Sequence, residues 1–234
     1  MVEASVATAE GAVKKKAYHH GDLRNAIIQE ATARARVSGE KAIVLREIAP
    51  HIGVSATAAY RHFANRQQLV EEVSARGFAE MAARVDAGEI TGAGSDPVRA
   101  AYLELRDAAV AMVDFAIDEP AWARTMIENL GSSQTVTERA GTIRVKLQEI
   151  VERGIDAGAF RPGTLIGEHL PLWAAIDGLS AQAMYGVHSM RTPSAVRATA
   201  RTIDLCLTDL LTEAGLRVRD EVAQTGGIGA DGAA

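Results

Sequence analysis

The stretch IGVSATAAYRHFANRQQL, from Ile52 to Leu69, constrains the fold of this chain more than any other part of it. A Gly-Val-Ser turn separates an apolar-spaced segment, Leu45 to His51, from a run of small residues that ends in Tyr60-Arg61-His62-Phe63. Ser55 is placed to cap a helix over 56–62 by accepting from backbone N–H groups two or three residues on, worth about 1 kcal/mol. Asn65 is placed to cap the next helix, with Gln68 in the capping-box position. The pattern predicts two short helices joined by a tight turn, followed at once by a long one.

Helical punctuation continues through the remainder, and alternating strand-type runs are missing. The first helix is expected from Asp22 to about Val37, with Leu23, Ala26, Ile27, Ala31 and Ala35 on one face and Gly39 ending it. A second, Arg46 to His51, carries Pro50, which removes one helical hydrogen bond and is bearable only because the helix is short. The helix after Asn65 should reach Asp86, and EITGAGSD is read as a loop. Asp96-Pro97 and Thr192-Pro193 are both cap-then-proline starts. Helices are expected from there to Ile117, from Pro120, and over Val136–Asp156, Leu165–Tyr185 and Pro193–Leu211. The tail from Val218 is rich in Gly and Ala and reads as unstructured.

The fold class is therefore all-α. Expected parts are a disordered arm over 1–17, a three-helix head over 18–64, a helical bundle over 65–217 and a disordered tail over 218–234. Hydrophobic residues at 47% allow a sizeable core, and aromatic residues at 4% leave that core largely aliphatic. A lone cysteine, Cys206, excludes an internal disulfide and suits a reducing compartment. It lies on an apolar helical face with Ile203, Leu207 and Leu210, as a buried structural thiol would. No signal peptide or stretch of about 18 apolar residues is seen, so a cytoplasmic location and no membrane partner are expected.

Charge is uneven. The net value is -5, yet Lys14 to Arg76 holds 11 Lys/Arg against 6 Asp/Glu, and the residues after Arg76 hold 14 against 22. A basic segment on an acidic body suits one end meeting a polyanion. The helix after the Gly-Val-Ser turn fits the DNA major groove. Val54, Ala59 and Phe63 can point inward, Ala56 and Thr57 are small enough to enter, and Ser55 with the helix start offers donors to a phosphate. Tyr60, Arg61, His62 and Arg66 supply flanking hydroxyl, imidazole and guanidinium donors, with Arg46 on the preceding helix.

These residues resemble the DNA-binding domain of the tetracycline-repressor (TetR) family of transcriptional regulators. The likeness runs from His19-His20-Gly21-Asp22-Leu23-Arg24 to Leu69. It rests on Leu45-Arg46-Glu47-Ile48-Ala49, Gly53-Val54-Ser55, Tyr60-Arg61-His62-Phe63, Asn65-Arg66 and Leu69. It covers about the first third of the chain. The resemblance implies that Tyr60 and Arg66 contact phosphates. It also implies a homodimer on a palindromic operator and a C-terminal bundle that binds a small-molecule effector and dimerises. Arg66 stands where lysine is usual, and Ala59 where leucine is usual. The stretch LWAAIDGLSAQAMYG resembles the family's Trp-His-Gly type of regulatory domain, with Asp177 in place of the histidine.

Tyr102, Phe115, Trp122, Trp173 and Asp177 are the candidate effector-binding residues; Asp177 is equally suited to filling a packing gap or pairing with an arginine. Leu165, Leu172, Ile176 and Leu179 form one apolar stripe, and Val196, Ile203, Leu207, Leu210 and Leu211 another; Ala174, Ala175, Gly178 and Ala181 would let a second copy approach the last two long helices. No cofactor, metal site or catalytic residue is assigned. His19, His20 and Asp22 are read as opening a helix rather than holding a metal. The G-x-G-x-x-G from Gly227 to Gly232 has no strand before it and no helix after it, as a dinucleotide site requires. The alternative function is a helical enzyme using Asp177, His169 or Glu168 as acid or base, or a ligand-binding module that reads no DNA. The first lacks any nucleophile–base or metal-ligand spacing.

Overall fold

The computed structural model describes residues 20–87 and 94–227. Ten α-helices run in chain order among them: α1 His20–Ser38, α2 Leu45–His51, α3 Ala56–Tyr60, α4 Arg66–Asp86, α5 Pro97–Asp118, α6 Pro120–Glu128, α7 Gln134–Asp156, α8 Leu170–Tyr185, α9 Pro193–Cys206 and α10 Glu213–Gly227. Single 3-10 turns cover Glu40–Ala42, Ile166–Glu168 and Thr208–Leu210. The all-α class expected from the sequence is what the chain adopts. No described helix is long and apolar enough to cross a membrane.

The helix starts follow their side-chain caps. Ser55 accepts from the Ala58 N–H at 3.2 Å and Asn65 from the Gln68 N–H at 2.9 Å, while Gln68 Oε1 accepts from the Ala64 N–H at 2.8 Å. Asp96, Ser133 and Thr192 cap α5, α7 and α9 in the same way. Each cap satisfies backbone donors that have no partner within their own helix. Gly53 takes φ 79°, a left-handed conformation that lets the chain reverse between α2 and α3 and that a side chain would strain.

α1, α2 and α3 enclose a small core of Ile27, Ala31, Ile48, Ala49, Ala59 and Phe63, all fully buried. The remaining helices form the body, with α4 packed on α5, α6 and α7 while also touching α1. α5 lies against α8, α9 and α10. α4 and α6 approach closely at Gly77, where a Cβ would sit 2.3 Å from Met126 Sδ and 3.1 Å from Trp122. The Trp122 indole N–H donates to the Val73 carbonyl at 3.1 Å, and its ring centre is 5.8 Å from that of Phe115.

Three expectations need correction. The tail does not lose structure at Val218: α10 reaches Gly227, with Val218 buried and Arg219 donating to Thr208 Oγ1 at 2.9 Å. The helix expected from Leu165 begins at Leu170, because His169 caps it and Pro171 occupies its first turn. The helix expected to reach Leu211 ends at Cys206 and gives way to the 3-10 turn. Cys206 is half-buried, and burial, then the nearby Asp209 charge, push its thiol pKa up. The arm over 1–17, the His19 part of the histidine pair, and most of the EITGAGSD loop lie outside the described residues.

Candidate nucleic-acid interface

α3 is positioned by its inner face. Ala59 and Phe63 are fully buried against α2, the Val54 N–H donates to the Ala49 carbonyl at 2.9 Å, and the Arg24 guanidinium lies 5.1 Å from the Phe63 ring centre while pairing with Glu72 of α4. Val54, expected inward, is half-buried. The outer face carries Ser55, Thr57, Tyr60 and Arg61, all exposed, with Ala56 and His62 half-buried beside them. Arg46 is exposed on α2. Among the described residues neither Arg46 nor Arg61 is held in an ion pair, so both charges face water. Seven of the eight expected contact residues therefore lie on or beside one exposed surface.

Arg66, the eighth, is placed differently from the expectation. Its Nε donates to the Ile43 carbonyl at 2.9 Å, Nη1 to Glu40 Oε1 at 2.9 Å and Nη2 to the Glu40 carbonyl at 2.5 Å. Its fork grips the 3-10 turn between α1 and α2, while the side chain stays 42% exposed. Sequence reasoning missed Glu40, because nothing in the spacing of residues 40 and 66 marks them as neighbours.

The five candidate effector residues do not converge on a pocket. Tyr102, Phe115 and Trp122 are fully buried core. The Tyr102 hydroxyl donates to Asp204 Oδ1 at 2.6 Å, and Arg106 Nε donates to the same oxygen at 2.7 Å. Burial first, then the bond to Asp204 and its charge, drive the Tyr102 pKa far upward, so the phenol stays a neutral donor. Trp173 is half-buried, donates to the Ile166 carbonyl at 2.8 Å and lies under Arg144. Asp177 is on the outer side of α8, where partial burial raises its pKa and Arg144 lowers it.

A cavity of about 300 Å³ opens elsewhere, between α4, α5 and α7. Its charged lining is Asp86, Glu104, Asp107 and Glu149 against Lys146 and Arg153. Arg153 pairs with Glu104 at 2.5 Å and Lys146 with Asp86 at 2.5 Å. None of the five expected residues lines it. His169, a residue of the enzymatic alternative, caps α8 through Nδ1 and meets Asp209 through Nε2 at 2.9 Å. No group of three or more His, Cys, Asp or Glu suited to a metal occurs among the described residues.

A helix-turn-helix head with an exposed basic and small-residue face, on an all-helical body, is an arrangement suited to DNA binding. Residues 28–73 match the family model for bacterial regulatory proteins of the tetR family. Over that segment the chain is similar to the tetR family, which supports a DNA-binding transcriptional regulator. Solved structures share the fold. One, a protein with unknown function from Rhodococcus sp. RHA1, is 24% identical with a TM-score of 0.68, covering 85% of this chain and 100% of its own. A TetR-family transcriptional regulator from Streptomyces coelicolor is 17% identical with a TM-score of 0.57, covering 88% and 86%. A structure from Saccharomonospora viridis in complex with choline is 15% identical with a TM-score of 0.54, covering 82% and 100%. No curated protein matches the chain.

Proposed function

We propose that the chain is a homodimeric repressor that binds a palindromic operator in the cytoplasm and is released from it by a small molecule. The observation that carries the reading is the outer face of α8 and α9. Leu170 is 74% exposed, Leu205 63% and Tyr185 63%, a set of large apolar groups that one chain leaves to water. Ala174 and Gly178 are exposed between them, and a Cβ on Gly178 would meet nothing within 4 Å. The inner face is spent on the monomer through Leu172, Ile176, Ile203 and Leu207. A two-fold axis through this face brings four helices together in an isologous interface. One chain carries one reading head, and specific binding needs two heads about one helical turn of DNA apart, or a multiple of it.

In this reading Thr57 and Ala56 meet base edges. Tyr60, Arg61, His62, Ser55 and Arg46 hold the phosphates. The effector enters the cavity between α4, α5 and α7 rather than the core around Trp122. Four carboxylates against two bases there favour a polar cation. Sedimentation equilibrium at micromolar concentration tests the assembly: a species of twice 24.7 kDa is expected, and a single species at 24.7 kDa, unchanged by a bound duplex, would rule the interface out.

A further inference from the structure

We infer that Arg66, Glu40 and Asn129 form a latch that fixes the reading head on α6, and that Arg66 serves DNA binding as a positioning residue acting through Glu40 rather than on a phosphate. The inference rests on the reading of α3 as the DNA-contacting helix. Glu40 is the centre. Its Oε1 accepts from Arg66 Nη1 at 2.9 Å, and its Oε2 accepts from Asn129 Nδ2 at 2.9 Å. Arg66 opens α4 directly after α3, whereas Asn129 ends α6 in the body. One carboxylate therefore ties the turn between α1 and α2, the start of α4 and the end of α6 together.

Most polar atoms of the latch are committed. Asn129 is 6% exposed; its Nδ2 also donates to the Thr125 carbonyl at 2.9 Å, and its Oδ1 accepts from Gln67 Nε2 at 3.1 Å. Three of the five guanidinium N–H groups of Arg66 are spent on residues 40 and 43. A planar fork holds acceptors on two residues at once, which the point charge of a lysine cannot do. Turning that fork to a phosphate would leave Glu40 unneutralised beside DNA. Burial alone would raise the Glu40 pKa, yet the bonds from Asn129 and Arg66 and the Arg66 charge bring it below the usual glutamate range.

The test measures binding of full-length variants, over a range of salt, to a duplex that the wild-type chain has selected from random sequence. Arg66→Ala and Glu40→Ala should each weaken binding, by roughly tenfold. The pair together should do little more, and the salt slope should stay at its wild-type value. Arg66→Lys should not restore affinity. Charge alone predicts the opposite sign for Glu40→Ala, because removing a carboxylate near DNA strengthens binding. Tighter binding by that variant would overturn the latch. So would an Arg66→Ala slope lower by about 0.9, the mark of one lost phosphate contact, with rescue by lysine. If the wild type binds no duplex even at low salt, the DNA reading fails by itself. The latch is then judged by thermal unfolding of Arg66→Ala, Asn129→Ala and the double variant: non-additive losses support it, and additive losses overturn it.

Discussion

Asp204 is the place where one side chain holds α9 to the core, and replacing it gives a prediction whose size follows from the structure. Its carboxylate is 13% exposed and accepts from both the Tyr102 hydroxyl and Arg106 Nε through a single oxygen. Asp204→Ala strands a fully buried hydroxyl and a largely buried guanidinium. Each hydrogen bond to a charged group is worth about 1.5–3 kcal/mol. Arg106 recovers part of its loss from Asp107, which lies 3.0 Å from Nη1. A net destabilisation of about 3 kcal/mol follows, which for a chain of this size lowers Tm by roughly 6–12 °C. Tyr102→Phe removes one donor and leaves Arg106 paired, so it should cost about half as much. α9 also carries Leu205 on the outer face, so the loss should be larger at low protein concentration if the chain dimerises there. Circular-dichroism melts at several concentrations measure both effects. An Asp204→Ala melt within about 2 °C of wild type would refute the assignment of this carboxylate as the fastening point.

Three further outcomes are expected. Arg46→Ala and Arg61→Ala should weaken binding to every duplex and each lower the salt slope by about 0.9, whereas changes at Thr57 should shift base preference by about 1–3 kcal/mol; fluorescence anisotropy across salt and sequence separates the two. Gly77→Ala should destabilise by about 1–3 kcal/mol, since its Cβ would overlap Met126 and press on Trp122, and calorimetry reads the change in Tm. The Glu40 carboxylate has its pKa lowered on folding, so its stabilisation is complete above the usual glutamate value of about 4.3 and is lost as pH falls through the folded value; the Tm gap between wild type and Glu40→Gln should narrow on acidification and stay flat from pH 5 to 7.

Much of the head was legible because its information is local. A cap lies two or three residues from the N–H groups it serves, so Ser55, Asn65, Asp96 and Thr192 announce helix starts without knowledge of the tertiary fold. The 3.6-residue period likewise put Leu23, Ile27, Ala31 and Ala35 inside α1, and all four are buried. α10 escaped because its glycines and charges dilute the pattern. Yet Leu211, Gly215, Val218 and Val222 recur at helical spacing, and Gly215 fits where a Cβ would lie 2.4 Å from the Ala159 carbonyl. That signal was present and weak. It becomes compelling only when the surface that α10 covers, beside α5, is known.

The functional surface divides in the same way. Thr57, Tyr60 and Arg61 are exposed because Ala59 and Phe63, one or two positions away, are drawn into the core, so one inward pair fixes the outward set. Residue type alone could not divide the large side chains of the body between pocket and packing. Tyr102, Phe115 and Trp122 have the bulk of cavity-lining groups, but their hydroxyl and indole donors find Asp204 and Val73 at long sequence range and close the space. Arg66 is the sharpest case. Its neighbours in sequence mark the start of a helix beside DNA, and a lysine there would have only one charge to offer. An arginine carries a fork, and the fork's destination depends on residues 40 and 43, which the fold delivers from 26 and 23 positions away. Chemistry that depends on one helix and its cap is written locally; chemistry that depends on which acceptor a long side chain finds is decided by packing.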